Sequence, residues 1–314
     1  MQLSSAPSFT SESRTLGILE FGTNSLKLHL YSKDVDRYEP VRAEWEVGLD
    51  IYARGGFEEE TIAAAMEHVE QLLERCQIQE IEDLFGIATG VFEEVPIDGF
   101  RERINRQLGI PLRVLSRREQ AQLLHLGFKD RVRERPAMVF DLGCGHLETV
   151  YLGKGQSAQT LCKSLPLGVI RVHHVASFGS GEWDEEEAER YIREHLRVAN
   201  LFPVPSIHGT GGTVRAIARL AGKTELSRDI LKKVEDEIRL HGPPSFFSPR
   251  RQAIFLPGVV TMRRLLEHVG AGVVRHHKVN LGTVLMGEIL PLYRSMGSRL
   301  RDIFVDRDVE ILNW

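Results

Sequence analysis

"AMVFDLGCGHLETVYLG", residues 137–153, contains two apolar runs around a short turn that holds Gly143 and Gly145. The apolar runs are typical of two buried strands, so the stretch predicts a β-hairpin. Asp141 followed by Gly-x-Gly is also typical of a loop that brings backbone N–H groups close to phosphate, because glycine leaves room for the approach.

Cys144 and His146 offer a second interpretation of this turn, as metal ligands. A structural zinc site needs four nitrogen or sulfur ligands, and no second pair with suitable spacing accompanies these two residues. We therefore favour a packed thiol and a solvated imidazole over a metal site.

The first half of the chain begins with a similar stretch. "LGILEFGTNSLKLHLY", residues 16–31, again has an apolar run, a small polar turn at Gly22-Thr23-Asn24-Ser25, and a second strand with alternating leucines. Two halves that each open with such a hairpin predict a duplicated α/β fold, with two lobes and a cleft between them.

Between the hairpins, the periodicity predicts further helices and strands. Ser116 and Glu119 have the spacing of a capping box that opens a helix to about Phe128. The other predicted helices are 58–76, 100–108 and 184–196, together with one that follows residues 209–213 and ends at Gly222 and one that follows Pro257-Gly258. The other predicted strands are 84–89, 110–116 and 253–256.

The basic, proline-containing segment 131–136, "RVRERP", is the predicted domain boundary. We divide the chain into a loose polar tail (1–14), lobe I (15–132) and lobe II (133–314), with the C-terminal helix free to pack back on lobe I.

Composition narrows the class of protein. The net charge of −4 does not favour a nucleic-acid or anionic-membrane partner. Cys76, Cys144 and Cys162 are too few and too scattered for a disulfide framework, and no apolar run reaches the ~20 residues that span a bilayer. The expectation is a cytoplasmic protein with no membrane segment, and a homodimer is left open.

A second glycine-rich loop, "GTGGT" at residues 209–213, directly precedes a predicted helix. Such a loop aims N–H groups and the positive end of a helix at an anion. Each loop alone is a weak signal, because small glycine turns are common. Together, the three loops at residues 22–25, 143–145 and 209–213 favour a phosphate site.

Several segments in order resemble the exopolyphosphatase / guanosine pentaphosphate phosphohydrolase (Ppx/GppA) family of the actin, sugar kinase and heat-shock-protein ATPase superfamily. The likeness runs from about residue 16 to about residue 290. It rests on "ILEFGTNSLKLHLY", "GIATGVFEEV", "IPLRVLSRREQAQLLHLGF", "VFDLGCGHLETVYL", "SLPLGVIRV", "GTGGT" and "AIFLPG". The resemblance implies two actin-like, ribonuclease H-like lobes and a cleft that cleaves terminal phosphoanhydrides.

The resemblance also implies a set of phosphate-binding positions that this chain retains. Asp141 would hold phosphate together with Mg²⁺, and Glu20 stands where the family has another Asp, so both are candidate metal ligands. The retained loop positions are Gly22, Thr23, Asn24, Ser25, Asp141, Gly143, Gly145, Glu148, Gly209, Gly211, Gly212 and Thr213. Tight hairpin turns need glycine and asparagine even without phosphate, so retention has a structural explanation as well.

The positions that the resemblance assigns to catalysis are substituted. The family's water-activating glutamate falls on Gln120, and an amide cannot accept a proton near neutral pH. The neighbouring Glu119 is a carboxylate, but one step along a helix turns a side chain by about 100°. The family's phosphate-binding arginine falls on Glu93, which would repel phosphate by about 4 kcal/mol at ~4 Å and an effective dielectric near 20. Another arginine is lost at Asn280-Leu281-Gly282.

Two functions from different classes remain. The first is a relative with lost or weak hydrolysis that binds a phosphorylated small molecule or polyphosphate, or acts as a regulatory protein. The second is an active metal-dependent phosphohydrolase with a relocated base, for which Glu93, Glu94 and Glu119 are candidates. A kinase is a third interpretation, disfavoured because the segments match phosphohydrolases better.

Overall fold

The computed structural model describes residues 16–31, 40–45, 47–76, 81, 83–153, 161–178 and 181–296. The predicted tail (1–14) lies outside these residues, as does the end of the predicted lobe II (297–314). The strands are β1 (Leu16–Gly22), β2 (Ser25–Tyr31), β3 (Val41–Glu44), β4 (Asp83–Ala88), β5 (Leu112–Val114), β6 (Ala137–Leu142), β7 (Leu147–Leu152), β8 (Leu161–Leu165), β9 (Ile207–Thr210), β10 (Glu225–Ser227) and β11 (Val273–His276).

The helices alternate with these strands, as the α/β prediction requires. They are α1 (Val47–Arg54), α2 (Glu59–Arg75), α3 (Asp98–Leu108), α4 (Arg117–Phe128), α5 (Val169–Ala176), α6 (Glu185–Ala199), α7 (Gly212–Ala221), α8 (Arg228–His241), α9 (Pro249–Ala253), α10 (Phe255–His268) and α11 (Leu281–Met296). A 3₁₀ turn, Gly90–Glu93, follows β4.

The two sheets share a five-stranded core of one topology, which confirms the predicted duplication, and the second sheet has one further edge strand, β10, antiparallel to β11. The first has the order β3-β2-β1-β4-β5 and the second β10-β11-β9-β6-β7-β8. In each, three antiparallel strands are followed by two parallel ones: β1 pairs with β2 antiparallel and with β4 parallel, just as β6 pairs with β7 and β9.

The described residues form two compact units. The first contains residues up to Ser116 and, from Leu285, most of α11; the second runs from Arg117 to Val284. This division differs from the predicted boundary between residues 132 and 133, because α4 packs against β6, β7 and β8 of the second sheet. The basic segment that we took for a boundary therefore lies inside the second unit.

Each unit has its own apolar core. In the first, Phe21, Trp45, Phe92 and Phe100 form a ring cluster in which Phe21 and Phe100 meet edge to face at 5.5 Å. In the second, Leu124 and Phe128 of α4 pack with Val139 and Val150 of the central hairpin. Burying these side chains fixes which face of each strand points inward.

The predicted strand 253–256 is wrong. Ala253 ends α9, and Phe255 begins α10. Pro257 lies in the first turn of α10, where no intrahelical N–H bond is required, so it does not interrupt the helix. An apolar run of this length is ambiguous between a buried strand and a buried helix, and packing against α5, α6, α7 and α8 decides for the helix.

Candidate functional site

Asp141 and the glycine loop meet at one end of the second sheet. Asp141 of β6 lies beside Thr210 of β9, with which it is paired in the parallel register of the two strands. Gly211 follows with φ +101°, and a Cβ there would lie 2.3 Å from Asp141 Oδ1 and 3.0 Å from the carbonyl oxygen of Leu142. Only glycine fits this close approach.

Helix α7 begins at this contact. Its N-cap residue is Gly211, which has no side chain to accept hydrogen bonds from the N–H groups of the first turn. The N–H groups of a helix's first turn and the helix dipole make such a terminus attractive to an anion. The segment predicted as a loop, 209–213, spans the end of β9, Gly211 and the first two residues of α7, and its binding of phosphate stays a prediction.

Arg251, which the sequence analysis missed, adds a positive charge to this loop. Its Nη1 donates to the carbonyl oxygen of Gly212 at 3.1 Å, and a Cβ on Gly212 would lie 3.4 Å from Arg251 Nη2. The short helix α9 positions it, with Ser248 Oγ accepting from the Arg251 N–H at 3.3 Å. Ser248-Pro249, an N-cap residue followed by proline, is the signal that could have revealed this helix.

Other cations lie near the end of β11. Burial lowers the pKa of His276, and the nearby charges of Arg215 and Lys278 lower it further. Since His276 is the register partner of Gly209, these cations belong to the surroundings of the glycine loop. The loop thus combines backbone donors with positive side chains and the single carboxylate of Asp141.

The hairpin turn of the second unit, Gly143 to His146, is bound to α5. Its carbonyl oxygens accept from the start of the helix: Val169 N–H donates to Gly143 at 3.1 Å and Ile170 N–H to Cys144 at 3.0 Å. Gly168 packs so closely that a Cβ would lie 2.3 Å from the Cys144 oxygen. Glycine at 168 therefore has a packing role against this turn, independent of any ligand.

The solvated imidazole predicted at position 146 is wrong. His146 is only 5% exposed, because the turn folds back on Gly168 and the start of α5. Cys144 is partly buried. In the described part of the chain, no three His, Cys, Asp or Glu residues are placed together to hold a metal ion.

The hairpin turn of the first unit is built in the same way. Thr23 Oγ1 accepts from the N–H of Val91 at 3.2 Å, and the Thr23 carbonyl accepts from Gly48 at the start of α1 at 3.0 Å. Gly90, with φ +69°, takes the place that Gly211 has in the second unit, since a Cβ there would lie 2.4 Å from Thr23 Oγ1. Ser25, which starts β2, is buried as well.

Asn24 lies at the tip of this turn, 4% exposed. Its Oδ1 is buried and accepts no hydrogen bond from the described residues. A buried acceptor without a donor costs about 1–3 kcal/mol, which makes this amide oxygen a candidate contact for a ligand.

Glu93 ends the 3₁₀ turn that packs on Thr23 and is half buried, whereas Glu94 is exposed. The candidate catalytic residues are divided between the units: Glu93 and Glu94 belong to the first, and Glu119 and Gln120 to the second.

Glu119 and Gln120 are both buried on α4, at 2% and 6% exposure. Ala121, next in the helix, packs in one cluster with Val139 of β6. Because side chains two residues apart on a strand share a face, Asp141 lies on the same side of the sheet as Val139 and α4. The structure thus places the helix of Gln120 over the face that carries Asp141.

Glu20 already has two partners. Lys27, opposite it in β1 and β2, forms an ion pair with Oε1, and His29 Nε2 lies 2.8 Å from Oε2. Burial alone would raise the pKa of Glu20, but Lys27 and His29 outweigh it and hold the pKa well below its usual range. Both oxygens of this carboxylate are engaged, which argues against a metal at Glu20.

Asp141 and Glu148 offer a better oxygen set for a hard cation. They are direct register partners in β6 and β7, so their side chains share a face. Glu148 is buried, and its Oε1 accepts from Ser164 Oγ at 2.8 Å. Carboxylate oxygens suit Mg²⁺, so these two residues fit the ion that the resemblance implies.

A separate cavity of about 470 Å³ lies in the second unit, lined by residues such as Trp183, Arg239, Pro243 and Leu256. None of the predicted site residues lines it. The cavity therefore does not mark the predicted phosphate site.

The fold and the site define an α/β protein with two actin-like lobes, each built around a hairpin turn at the end of its sheet. The model of the Ppx/GppA phosphatase family matches residues 48–276. The chain therefore belongs to the Ppx/GppA phosphatase family, as the sequence resemblance predicted.

Solved structures support the fold. An exopolyphosphatase-like protein is 23% identical, with a TM-score of 0.73 over 87% of this chain and 97% of its own. A Ppx/GppA family member from Aquifex aeolicus is 19% identical, with a TM-score of 0.66 over 91% and 100%. An exopolyphosphatase from Cytophaga hutchinsonii is 14% identical, with a TM-score of 0.72 over 88% and 98%.

Among the described residues, no helix has both the length and the apolar composition needed to cross a bilayer.

Proposed function

We propose that this Ppx/GppA family member binds a phosphorylated ligand, either polyphosphate or a guanosine polyphosphate, and has lost most or all of the hydrolysis of its phosphoanhydride bonds. The observation that carries the proposal is the contrast between an intact anion loop and substituted catalytic positions. Gly211, Asp141 and Arg251 meet at the start of α7, whereas positions 93 and 120 hold Glu and Gln.

The binding half of the proposal rests on the glycine loop. Backbone N–H groups at a helix start bind phosphate without side chains, and a guanidinium adds charge-assisted hydrogen bonds. Arg251 already lies against Gly212, so a phosphate at the loop would meet a positioned cation. Mg²⁺ held by Asp141 and Glu148 would supply further positive charge to phosphate oxygens.

The proposed loss of hydrolysis rests on two missing groups, a base that accepts a proton from water and a cation that stabilises the transferred phosphate. Phosphoryl transfer to water needs a group that orients and deprotonates the water, and positive charge on the developing oxyanions. Gln120 cannot accept the proton. Glu93 brings a negative charge to the first unit's turn, and the Glu20 carboxylate is already paired with Lys27 and hydrogen-bonded to His29.

The proposed function is tested by phosphate release from long-chain polyphosphate and from guanosine pentaphosphate, with Mg²⁺ and with Mn²⁺. We expect no release above the rate of a blank. Robust turnover that Asp141→Ala abolishes would contradict the proposal and favour the relocated-base hydrolase, with Glu93, Glu94 and Glu119 as candidates.

Binding is tested separately with a thermal-shift series of polyphosphate, guanosine tetraphosphate, ATP and ADP. A ligand that binds only the folded state raises the melting temperature in proportion to the logarithm of its concentration. We expect a shift with at least one of them, reduced in Arg251→Met. No shift with any of the four would remove the phosphate-ligand half of the proposal.

A further inference from the structure

A chain of hydrogen-bonded polar groups runs from the exposed Glu134 to the buried Ser206 and His208, beside the glycine loop, and takes no part in the proposed phosphate site. Arg275 Nη1 donates to Glu134 Oε2 at 2.7 Å, and Ser206 Oγ donates to the same oxygen at 3.0 Å. Ser206 Oγ lies 3.4 Å from His208 Nε2, and His208 Nδ1 lies 2.9 Å from His277 Nε2.

The hydrogen bonds of this chain determine where the imidazole protons are. The single hydroxyl proton of Ser206 goes to Glu134, so Ser206 must accept from His208 Nε2–H. His208 Nδ1 is then bare and accepts, and the proton in the 2.9 Å bond belongs to His277 Nε2. In this arrangement His208 is the neutral Nε2–H tautomer, and His277 carries a hydrogen on Nε2.

The His208–His277 bond fastens one segment of chain, 277–280, to strand β9. The same segment makes two further bonds to that strand: the His277 N–H donates to the Gly209 carbonyl at 2.9 Å, and Thr210 Oγ1 donates to the Val279 carbonyl at 2.7 Å. Val279 also packs on α4, where a Cβ on Gly127 would lie 2.7 Å from Val279 Cγ1.

The segment lies between two functional parts of the chain. On one side, β9 ends at Thr210, inside the glycine loop. On the other, α11 begins at Leu281 and carries the chain from the second unit into the first after Val284. Release of segment 277–280 would remove these two bonds from the strand end that precedes Gly211.

We propose that the His208–His277 pair is a proton-sensitive latch that holds segment 277–280 against β9 and so keeps the glycine loop in place. Protonation of His208 puts a hydrogen on Nδ1, which then faces the hydrogen of His277 Nε2 at the same short distance. Two donors face each other, and the bond is replaced by repulsion. Protonation of His277 at its other nitrogen leaves the bond intact, so His208 is the trigger.

The surroundings keep the latch closed at neutral pH. Burial, His277, Arg275 and Arg135 lower the pKa of His208 to about 4, against a smaller opposing effect of Glu134. The pKa of His277 is lowered by burial and by His276, Arg131 and Arg275, and the ring of Phe128 covers it edge to face at 5.2 Å. The latch therefore opens only in acid.

The first test is ¹⁵N NMR of histidine-labelled protein at pH 7. We expect both His208 and His277 as neutral Nε2–H tautomers, with the Nδ1 signal of His208 shifted by an accepted hydrogen bond. A proton on Nδ1 of His208, or a charged His208, would overturn the proposal even if every variant below failed to fold.

The second test measures hydrogen-exchange protection of the amides of 209–213 and 277–284. His277→Leu should lower protection roughly tenfold at pH 7, because a buried acceptor loses its donor. The exposed His241→Leu is the matched control and should change nothing. Unchanged protection in His277→Leu would refute the latch.

The trigger is tested with a variant that cannot titrate. In His208→Asn/His277→Gln, an amide oxygen replaces Nδ1 of position 208 and an amide N–H replaces Nε2 of position 277. We expect near wild-type protection at pH 7 that stays constant down to about pH 4, where the wild-type segment loses protection. A parallel loss of protection in this variant would contradict the proton trigger.

Discussion

At the scale of single residues, the site depends on backbone contacts that only glycine permits. Gly211 and Gly90 hold equivalent places in the two units, each after a parallel strand and each against a side chain of the hairpin, Asp141 in strand β6 and Thr23 in the turn. The duplication therefore extends to individual residues. These contacts were not visible in the sequence, where a glycine beside a helix start has many explanations.

Gly211→Ala should lower the free energy of unfolding by at least about 2 kcal/mol, because it adds backbone strain and a clash with Asp141 Oδ1. Chemical denaturation measures the change. Gly222→Ala, at the other end of α7, is the control: its φ is +63° but nothing lies within 4 Å of the new Cβ, so only about 1 kcal/mol is expected. Equal losses would mean that the close contact has no energetic weight.

Arg251→Met should weaken tripolyphosphate binding at least about tenfold and leave the melting temperature of the unliganded protein nearly unchanged, since one charge-assisted hydrogen bond contributes about 1.5–3 kcal/mol and 1.4 kcal/mol is a factor of ten. Isothermal titration calorimetry gives the affinity. Lys223→Met removes the same charge at the far, exposed end of α7 and should bind normally. If both variants lost affinity equally, net charge rather than the loop would explain binding.

Some contacts of single residues could be predicted and others could not. A turn at 22–25 places Glu20 opposite Lys27 by register alone, so the paired carboxylate could have been read from the hairpin. The contact of Arg251 with Gly212 could not, because Ser248-Pro249 marks only the start of α9, and a helix of five residues shows no periodicity that would orient this side chain. The burial of His146 also depends on a partner, α5, that is distant in sequence.

At the scale of elements, strong periodicity predicted the structure well. Helix α2 and the helix closed by Gly109, which has φ +65°, lie where the apolar spacing and the glycine predict them. The segment 253–256 was misassigned because a short, wholly buried apolar run has no period of its own. Helix α8 was missed although Ser227 caps it, with Oγ accepting from the Ile230 N–H at 3.3 Å.

Helices α8 and α10 are joined by a buried ion pair, in which Arg263 Nε donates to Glu235 Oε2 at 2.6 Å. Glu235→Ala should destabilise the protein by about 3 kcal/mol, because it leaves part of a buried guanidinium without its carboxylate. Asp236→Ala, next in α8, removes one member of an exposed pair with Lys232 and should cost under about 0.5 kcal/mol. Urea unfolding measures both, and a small loss in Glu235→Ala would show that Glu189 and Glu267 suffice for Arg263.

At the scale of the whole molecule, two units that share a five-stranded core carry equivalent hairpins whose side chains differ in charge. The pair Asp141 and Glu148 has two carboxylates, whereas its equivalent, Glu20 and Lys27, is an ion pair. The sequence predicted the fold because topology follows from repeated patterns. The sequence did not decide whether the protein hydrolyses phosphoanhydrides, because hydrolysis depends on a few side chains. The charges of two of them, at positions 93 and 120, do not follow from any repeated pattern.

Buried histidines make stability depend on pH. The pKa of His208 falls from 6.5 to about 4 on folding, mainly through burial, and burial also lowers the pKa of His125, His173 and His277. Between about pH 4 and pH 6.5 the unfolded chain binds more protons than the folded protein. The free energy of unfolding should therefore fall as pH falls through this window, by up to about 1.4 kcal/mol per pH unit for each additional proton. Chemical denaturation from pH 7.5 to 4.5 measures how steeply the free energy of unfolding changes with pH, and the change should be shallower in His208→Asn. An identical slope would contradict the assignment of a lowered pKa to His208.

The most direct measurement is ³¹P NMR of tripolyphosphate mixed with the protein and Mg²⁺ and followed for hours. Binding without hydrolysis predicts broadened or shifted tripolyphosphate signals that keep their intensity, an effect lost in Arg251→Met. Gln120→Glu with Glu93→Arg should then begin to release orthophosphate. Growth of an orthophosphate signal with the wild-type protein, abolished by Asp141→Ala, would contradict the account.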